Sequence, residues 1–345
     1  MTFKRLVVTA FVIVSLLGCA VAAGIYAWLK QDNLNQTPIV IVIERGQTLT
    51  GLAQQWEDEG WLPSALQLRL AARITGGARD IRAGEFVIPT GLNSLSLLSY
   101  LATAPAKTYR VSLIEGKRLS DALSTLSNAE HLQQDLGPLT EATVTEFLGL
   151  TGSGEAQLYP DTYVYHRDQP VSDIIRQAHD RLKRVLADEW SKRETDLPYG
   201  TPYEALIMAS IIEKETGVAS ERPVIAGVFV RRLQRNMRME TDPTVIYGLG
   251  ANFDGNLTRR HLRDRSNPYN TYRQKGLPPG PIALAGRAAI NAALHPAEGT
   301  ELYFVARGDG SHYFSSTLEE HNAAVRRYQL SRRDDYRSSP ATTDQ

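Results

Sequence analysis

The chain has 345 residues, 38 Lys and Arg against 38 Asp and Glu, a formal net charge of +0 and 42% hydrophobic residues. That balance excludes the basic footprint of a nucleic-acid binder, and a single cysteine, Cys19, excludes an internal disulfide framework and a cysteine zinc site. The length suits about two domains plus an anchor.

The first predicted element is an uncharged apolar run from Leu6 to Leu29, long enough to span a bilayer as a helix. Lys4 and Arg5 precede it, so the positive-inside rule puts residues 1–5 in the cytoplasm and the bulk of the chain outside. Two cleavage readings compete. Leu16-Leu17-Gly18-Cys19 resembles a lipoprotein processing site, and Ala20-Val21-Ala22 a signal-peptidase site. Apolarity continues past both, which favours an uncleaved anchor over residues 6–29 of a single-pass membrane protein.

Residues 30–38 are polar and turn-rich, as expected of a linker. Ile39 to Ile43 is a β-branched run and predicts a strand. One helix follows through Leu49, Leu52, Ala53 and Trp56, and a second from Pro63 to about Ile74; Arg82 to Ile88 returns as a strand. Strand, helix, helix, strand over residues 39–103 resembles a small LysM-like module. Trp56, Trp61 and Phe86 read as its core rather than as sugar-stacking platforms.

The rest predicts a larger α+β domain over residues 104–330. Tyr109 to Leu113 is a strand, followed by Ile114-Glu115-Gly116 and a helix capped by Ser120. Pro160 and Asp161 suit a tight turn. A helical stretch runs from Val171 to Lys192, and Ser220 with Pro223 opens another through Leu233. Tyr303–Ala306 and His312–Ser315 flank a Gly-rich turn and predict a hairpin. Thr317 and Glu320 form a capping box for a last helix. Residues 331–345 are polar and predict a disordered tail.

Within this domain, Thr201 to Gly217 is the most informative segment. Thr201 and Glu204 form a capping box, Pro202 takes the first helical position, and Gly217 is a ready stop. Ala205 to Ile212 are apolar except Ser210, the pattern of a buried helix. Glu213, Lys214 and Glu215 then fill its last turn. At 100° per residue Glu215 falls on the stripe of Met208 and Ile211, and Glu213 on that of Leu206 and Ala209. A carboxyl against apolar walls keeps its proton to higher pH and can serve as a general acid. The competing reading is a pair of solvated helix-end residues.

Downstream come Thr241-Asp242-Pro243-Thr244-Val245, Asn267-Pro268-Tyr269-Asn270-Thr271-Tyr272, Gly276-Leu277-Pro278-Pro279-Gly280-Pro281-Ile282 and Glu319-Glu320-His321-Asn322. With Ser210 to Glu215, this ordered set resembles the YceG-like family of endolytic murein transglycosylases over roughly residues 38–330. The resemblance implies Glu215 as the catalytic acid, with Glu213 as structural support and Lys214 solvated. It implies a lyase that cleaves the β-1,4 bond between N-acetylmuramic acid and N-acetylglucosamine in nascent glycan strands. The C6 hydroxyl of the muramic acid then captures C1, leaving a 1,6-anhydro end. Asn270, Thr271, Tyr272 and Glu240 are the candidates for binding the sugar. Peptidoglycan strands are the implied substrate, peptidoglycan synthases the implied protein partners, and no cofactor is called for.

Two positions depart from the family pattern. Glu240 stands where the family usually has Gln, and a second carboxylate would make a muramidase-type hydrolase using Glu215 with Glu240 conceivable. Ala285 stands where the family often has Pro. A silent glycan-binding scaffold is the alternative outside enzymes. His295, His312 and His321 lack ligand spacing, so no metal site is expected.

Overall fold

An unbroken apolar sequence produces α1 (Phe3–Leu29), whose stretch Arg5–Leu29 is long and apolar enough to cross a membrane. In this computed structural model residues 3–44, 46–77 and 81–330 are described; the tail of residues 331–345 lies outside them. The chain divides into two units: Met1–Tyr109 with His166–Asp168, and Arg110–Tyr165 with Gln169–Gln345.

In the first unit β1 (Ile39–Ile43) is followed by α2 (Leu49–Asp58), α3 (Ala65–Thr75), β2 (Gly84–Ile88) and α4 (Ser94–Thr103). β1 and β2 pair antiparallel, Ile41 opposite Phe86, so alternate residues enter the core. Trp56 and Phe86 are 1% exposed, and the Trp56 and Trp61 rings stand 5.1 Å apart. These aromatics fill the interior with Leu52, Leu68, Ile88 and Leu101. The strand–helix–helix–strand order is present, and α4 adds a third helix that the alternation of the sequence did not announce. Glu85 is buried yet ionised: Lys107 Nζ at 2.6 Å, the Tyr109 hydroxyl and Arg167 together hold its carboxyl below the usual range, outweighing burial.

The second unit takes in most of β3 (Thr108–Ser112), then α5 (Leu119–Ser127), β4 (Leu132–Gln133), α6 (Glu141–Leu148), all but the last residue of β5 (Thr162–His166), β6 (Gln169–Pro170) and α7 (Val171–Ser191). After these come α8 (Pro202–Glu215), α9 (Arg222–Gln234), α10 (Asp242–Leu249), α11 (Arg259–Arg263) and α12 (Arg287–Leu294). The hairpin β7 (Tyr303–Ala306) and β8 (His312–Ser315) and helix α13 (Leu318–Val325) complete it. α5 begins one residue before Ser120, the cap expected from sequence. Asp121 reaches back to the Arg118 N–H at 3.1 Å instead, so the acid three residues on closes the end.

α8 is the axis of this unit. α7, α9, α10 and α12 pack round it, and every residue from Ala205 to Ile212 is buried. Ser210 is compatible with that core because its hydroxyl donates to Ile207 O at 2.7 Å and accepts from Ile282 N at 3.0 Å. Short strands and a dominant helical core make the fold mixed α and β.

Candidate active site

The N-terminal end of α8 is locked as its sequence dictates. Thr201 Oγ1 accepts from Glu204 N at 3.2 Å, and Glu204 returns to Thr201 N at 3.0 Å. Burial of the apolar turns then leaves little freedom at the other end, so the direction of the last turn is set by the core.

Glu215 is the last residue of α8 and is half-buried. Burial pushes its carboxyl up to about 7; Thr241 opposes this by donating its hydroxyl to Oε1, and the negative charge of Asp242 adds to it. A carboxyl in that range is protonated in part of the population at neutral pH, as an acid that must later act as a base requires.

Thr241 is itself held by other hydroxyls. Its N–H donates to Thr271 Oγ1 at 3.1 Å, and its carbonyl accepts from Thr244 Oγ1 at 2.8 Å. The Thr244 and Thr271 hydroxyls lie 2.9 Å apart, both buried. This cluster orients Thr241, whose hydroxyl donates to Glu215. Asp242 opens α10 and accepts the Tyr272 hydroxyl at 2.7 Å. Burial and this carboxylate push the Tyr272 phenol well above its ordinary range, so it remains a donor.

The sequence-expected sugar contacts divide. Tyr272 stands beside Asp242 with its ring half-buried. Asn270 is 0% exposed; its amide donates to Asp264 O at 2.6 Å and His261 O at 3.1 Å, and its Oδ1 accepts from Tyr272 N at 3.0 Å. Its polar atoms are thus taken up in folding the loop that carries Tyr272. Thr271 is likewise buried and spends its hydroxyl on Thr241 and Thr244. The hydrogen-bonding capacity of both is thus filled from inside the protein.

Glu240 lies in the left-handed region at φ 56° with its side chain 41% exposed. Its Oε2 is 3.2 Å from Arg232 Nη1, and that guanidinium also donates to Met239 O and Leu302 O. The carboxylate whose charge acts on Glu215 is Asp242, not Glu240.

Glu213 turns inward on its own side of α8, with a side chain 5% exposed. It accepts from Gly286 N at 3.0 Å and stands 3.6 Å from Arg222, while burial pushes its carboxyl up. It thereby joins α8 to the first turn of α12. Lys214 is exposed as expected but tethered, donating to Gly116 O at 3.1 Å. Gly116 has φ 72°, a conformation that suits glycine, and its N–H donates to Leu284 O at 2.8 Å. The 114–117 turn is therefore bound to the Leu284 segment that leads into α12, beside the last turn of α8.

Sequence reasoning assigned no role to Thr241, Asp242 or Thr244. The signal was present: hydroxyls at i and i+3 around an acid and a proline at a helix start. Their convergence on Glu215, 26 residues away, was not in it. Among the described residues, no group of three or more His, Cys, Asp or Glu is placed to hold a metal ion.

Comparison with known proteins follows the same segments. A model described as the YceG-like family matches residues 41–327. The chain is similar to the endolytic murein transglycosylase of Bacillus subtilis (strain 168), 28% identical over 313 residues, which cover 85% of this chain and 86% of that protein. It is similar also to the endolytic murein transglycosylase of Streptococcus pneumoniae (serotype 2, strain D39), 30% identical over 195 residues, 53% of this chain and 34% of that longer protein. Among solved structures, a YceG-like protein of Listeria monocytogenes superposes with a TM-score of 0.52 and 28% identity, over 84% of this chain and 99% of the other.

Proposed function

This chain belongs to the YceG-like family, and from that premise and the enclosure of Glu215 we propose that it is an endolytic peptidoglycan lytic transglycosylase. Glu215 is its catalytic acid and base. The observation that carries the reading is the Glu215 carboxyl at the end of a buried helix, pushed up to about 7 and oriented by a buried hydroxyl cluster.

The chemistry runs in two proton transfers. Protonated Glu215 donates to the glycosidic oxygen as the bond between the muramic acid C1 and the leaving glucosamine breaks. The carboxylate so formed takes the proton of the muramic acid C6 hydroxyl, whose oxygen bonds to C1. The product carries a 1,6-anhydro ring, no water is consumed, and Glu215 is again protonated. Asp242 favours the proton-bearing state before the first transfer. The Tyr272 phenol, bonded to Asp242, would then meet the sugar's polar groups.

Glu240 supports this reading over the hydrolytic one. An inverting hydrolase needs a second carboxylate free to activate water on the opposite face, and Glu240 is paired with Arg232. In this proposal α1 anchors the enzyme in the cytoplasmic membrane through residues 6–29, residues 30–38 are the linker, and residues 104–330 are the catalytic domain in the periplasm. Residues 39–103 form the LysM-like module. The cut is then made near the membrane in nascent strands, where peptidoglycan synthases would be its neighbours.

Mass spectrometry of products from uncrosslinked glycan strands tests it. New ends should be 1,6-anhydro-N-acetylmuramic acid with no oxygen taken from labelled water. Reducing ends carrying solvent oxygen would overturn the lyase assignment, and no cleavage at all would leave a scaffold.

A further inference from the structure

Beyond Glu215, the second unit holds a cavity of about 470 Å³ at the far end of α10. Its walls include Arg118, Ser120, Thr140, Glu155, Tyr247 and Tyr269. The size is that of small-ligand sites, and the mixture of aromatic rings with a few fixed polar groups is their usual lining.

Three features mark it as a built site. Glu155, 4% exposed, accepts Leu119 N at 2.8 Å and the Tyr247 hydroxyl at 3.2 Å. That carboxyl fixes one tyrosine from below, and burial pushes its pKa up. The Arg118 guanidinium lies 4.9 Å over the Tyr247 ring and donates to Ile246 O at 3.1 Å, which leaves further N–H groups of its fork available. The Tyr247 and Tyr269 rings stand 4.8 Å apart at 59°, forming an angled aromatic wall.

Position ties the cavity to the candidate acid. Asp242, whose charge acts on Glu215, begins α10, and Gly248, which lines the cavity, lies near its end. Gly248 stands six positions along the helix from Asp242, a rise of about 9 Å, the reach of one or two sugars of a strand.

We propose that this cavity is a distal sugar subsite that takes an N-acetylated hexosamine of the glycan, one or two residues from the cut bond. The inference rests on the reading of Glu215 as a glycan-cleaving acid. A pyranose presents apolar C–H faces to the tyrosine wall and hydroxyl or acetamido oxygens to Arg118, the pairing that amphipathic aromatics and a guanidinium fork provide. Occupation fixes the register of the strand, so the subsite selects strands long enough to fill it.

The test uses the full chain in detergent and peptide-free β-1,4 N-acetylglucosamine oligomers of two and six sugars as probes. Binding is followed by calorimetry alongside cleavage of uncrosslinked peptidoglycan strands. Ser120→Trp adds bulk at an exposed rim position without removing any packing, and Arg118→Ala removes the cation. Both should weaken the six-sugar probe by about tenfold and raise KM for strands with little change in kcat. Unchanged six-sugar affinity in both variants, with normal strand cleavage by the unmodified enzyme, overturns the subsite while Glu215 keeps its role. Absence of cleavage by the unmodified enzyme strikes the underlying reading instead.

Discussion

Replacing Glu215 by Gln keeps the shape of the side chain and an oxygen for Thr241 while removing the titration. Two effects follow with opposite signs. Cleavage falls by about two to four orders of magnitude, the usual contribution of a general acid–base group. Stability near and above neutral pH rises. A glutamate in the unfolded chain loses its proton near 4.5, whereas Glu215 in the fold keeps it to about 7. Between those values the native state binds more protons than the unfolded one, so stability falls as pH rises through the interval and the full cost is present above about 7. At about 1.4 kcal/mol per pKa unit the rise amounts to about 3 kcal/mol. Gln carries no such cost. Unfolding of the full chain in detergent, measured for both proteins at pH 4 and pH 8, should show the variant gaining about 3 kcal/mol on the parent between those two conditions. Groups that titrate equally in both proteins cancel in the comparison. A Glu-to-Gln difference that is the same at both pH values, or a variant with near-normal turnover, would refute the argument that burial tunes this carboxyl for catalysis.

The charge of Asp242 helps hold the proton on Glu215, so Asp242→Asn should move the alkaline limb of the pH–rate profile to lower pH while still accepting the Tyr272 hydroxyl; a limb that stays in place removes Asp242 from the electrostatics of the site. Glu240→Gln loosens an ion pair whose acidic member is largely solvated, with a stability loss below about 1 kcal/mol, and its products should remain anhydro-ended; loss of cleavage with normal folding would restore Glu240 as a second catalytic carboxylate. The proposed anchor should remain attached, so protein from membranes should retain residues 1–22; N-terminal sequencing that begins at Cys19 or Ala23 would replace it with a lipid-anchored or released enzyme.

Much of this protein was written in local pattern. An uncharged run of two dozen residues reads as a span because hydrocarbon solvation depends on composition alone. α8 was legible end to end, since its capping box, its proline and its all-round apolar turns are contributions within one segment. The hairpin β7–β8 and the box at Thr317 and Glu320 were legible for the same reason. The ordered motifs pointed to Glu215 because motif order survives where geometry is unseen. Tertiary structure decided what those residues touch. Asn270 carries the right chemistry for an acetamido group, yet the turn made by residues 261–264 takes its amide. Glu240 is an acid in the right neighbourhood, but Arg232, already fixed by the carbonyls of Met239 and Leu302, occupies it. Asp242, given no role from the sequence, opens α10 and carries the charge that acts on Glu215. A side chain's chemistry is set by its residue type, but whether it faces a ligand depends on which distant groups satisfy it first, and only folding brings those groups together.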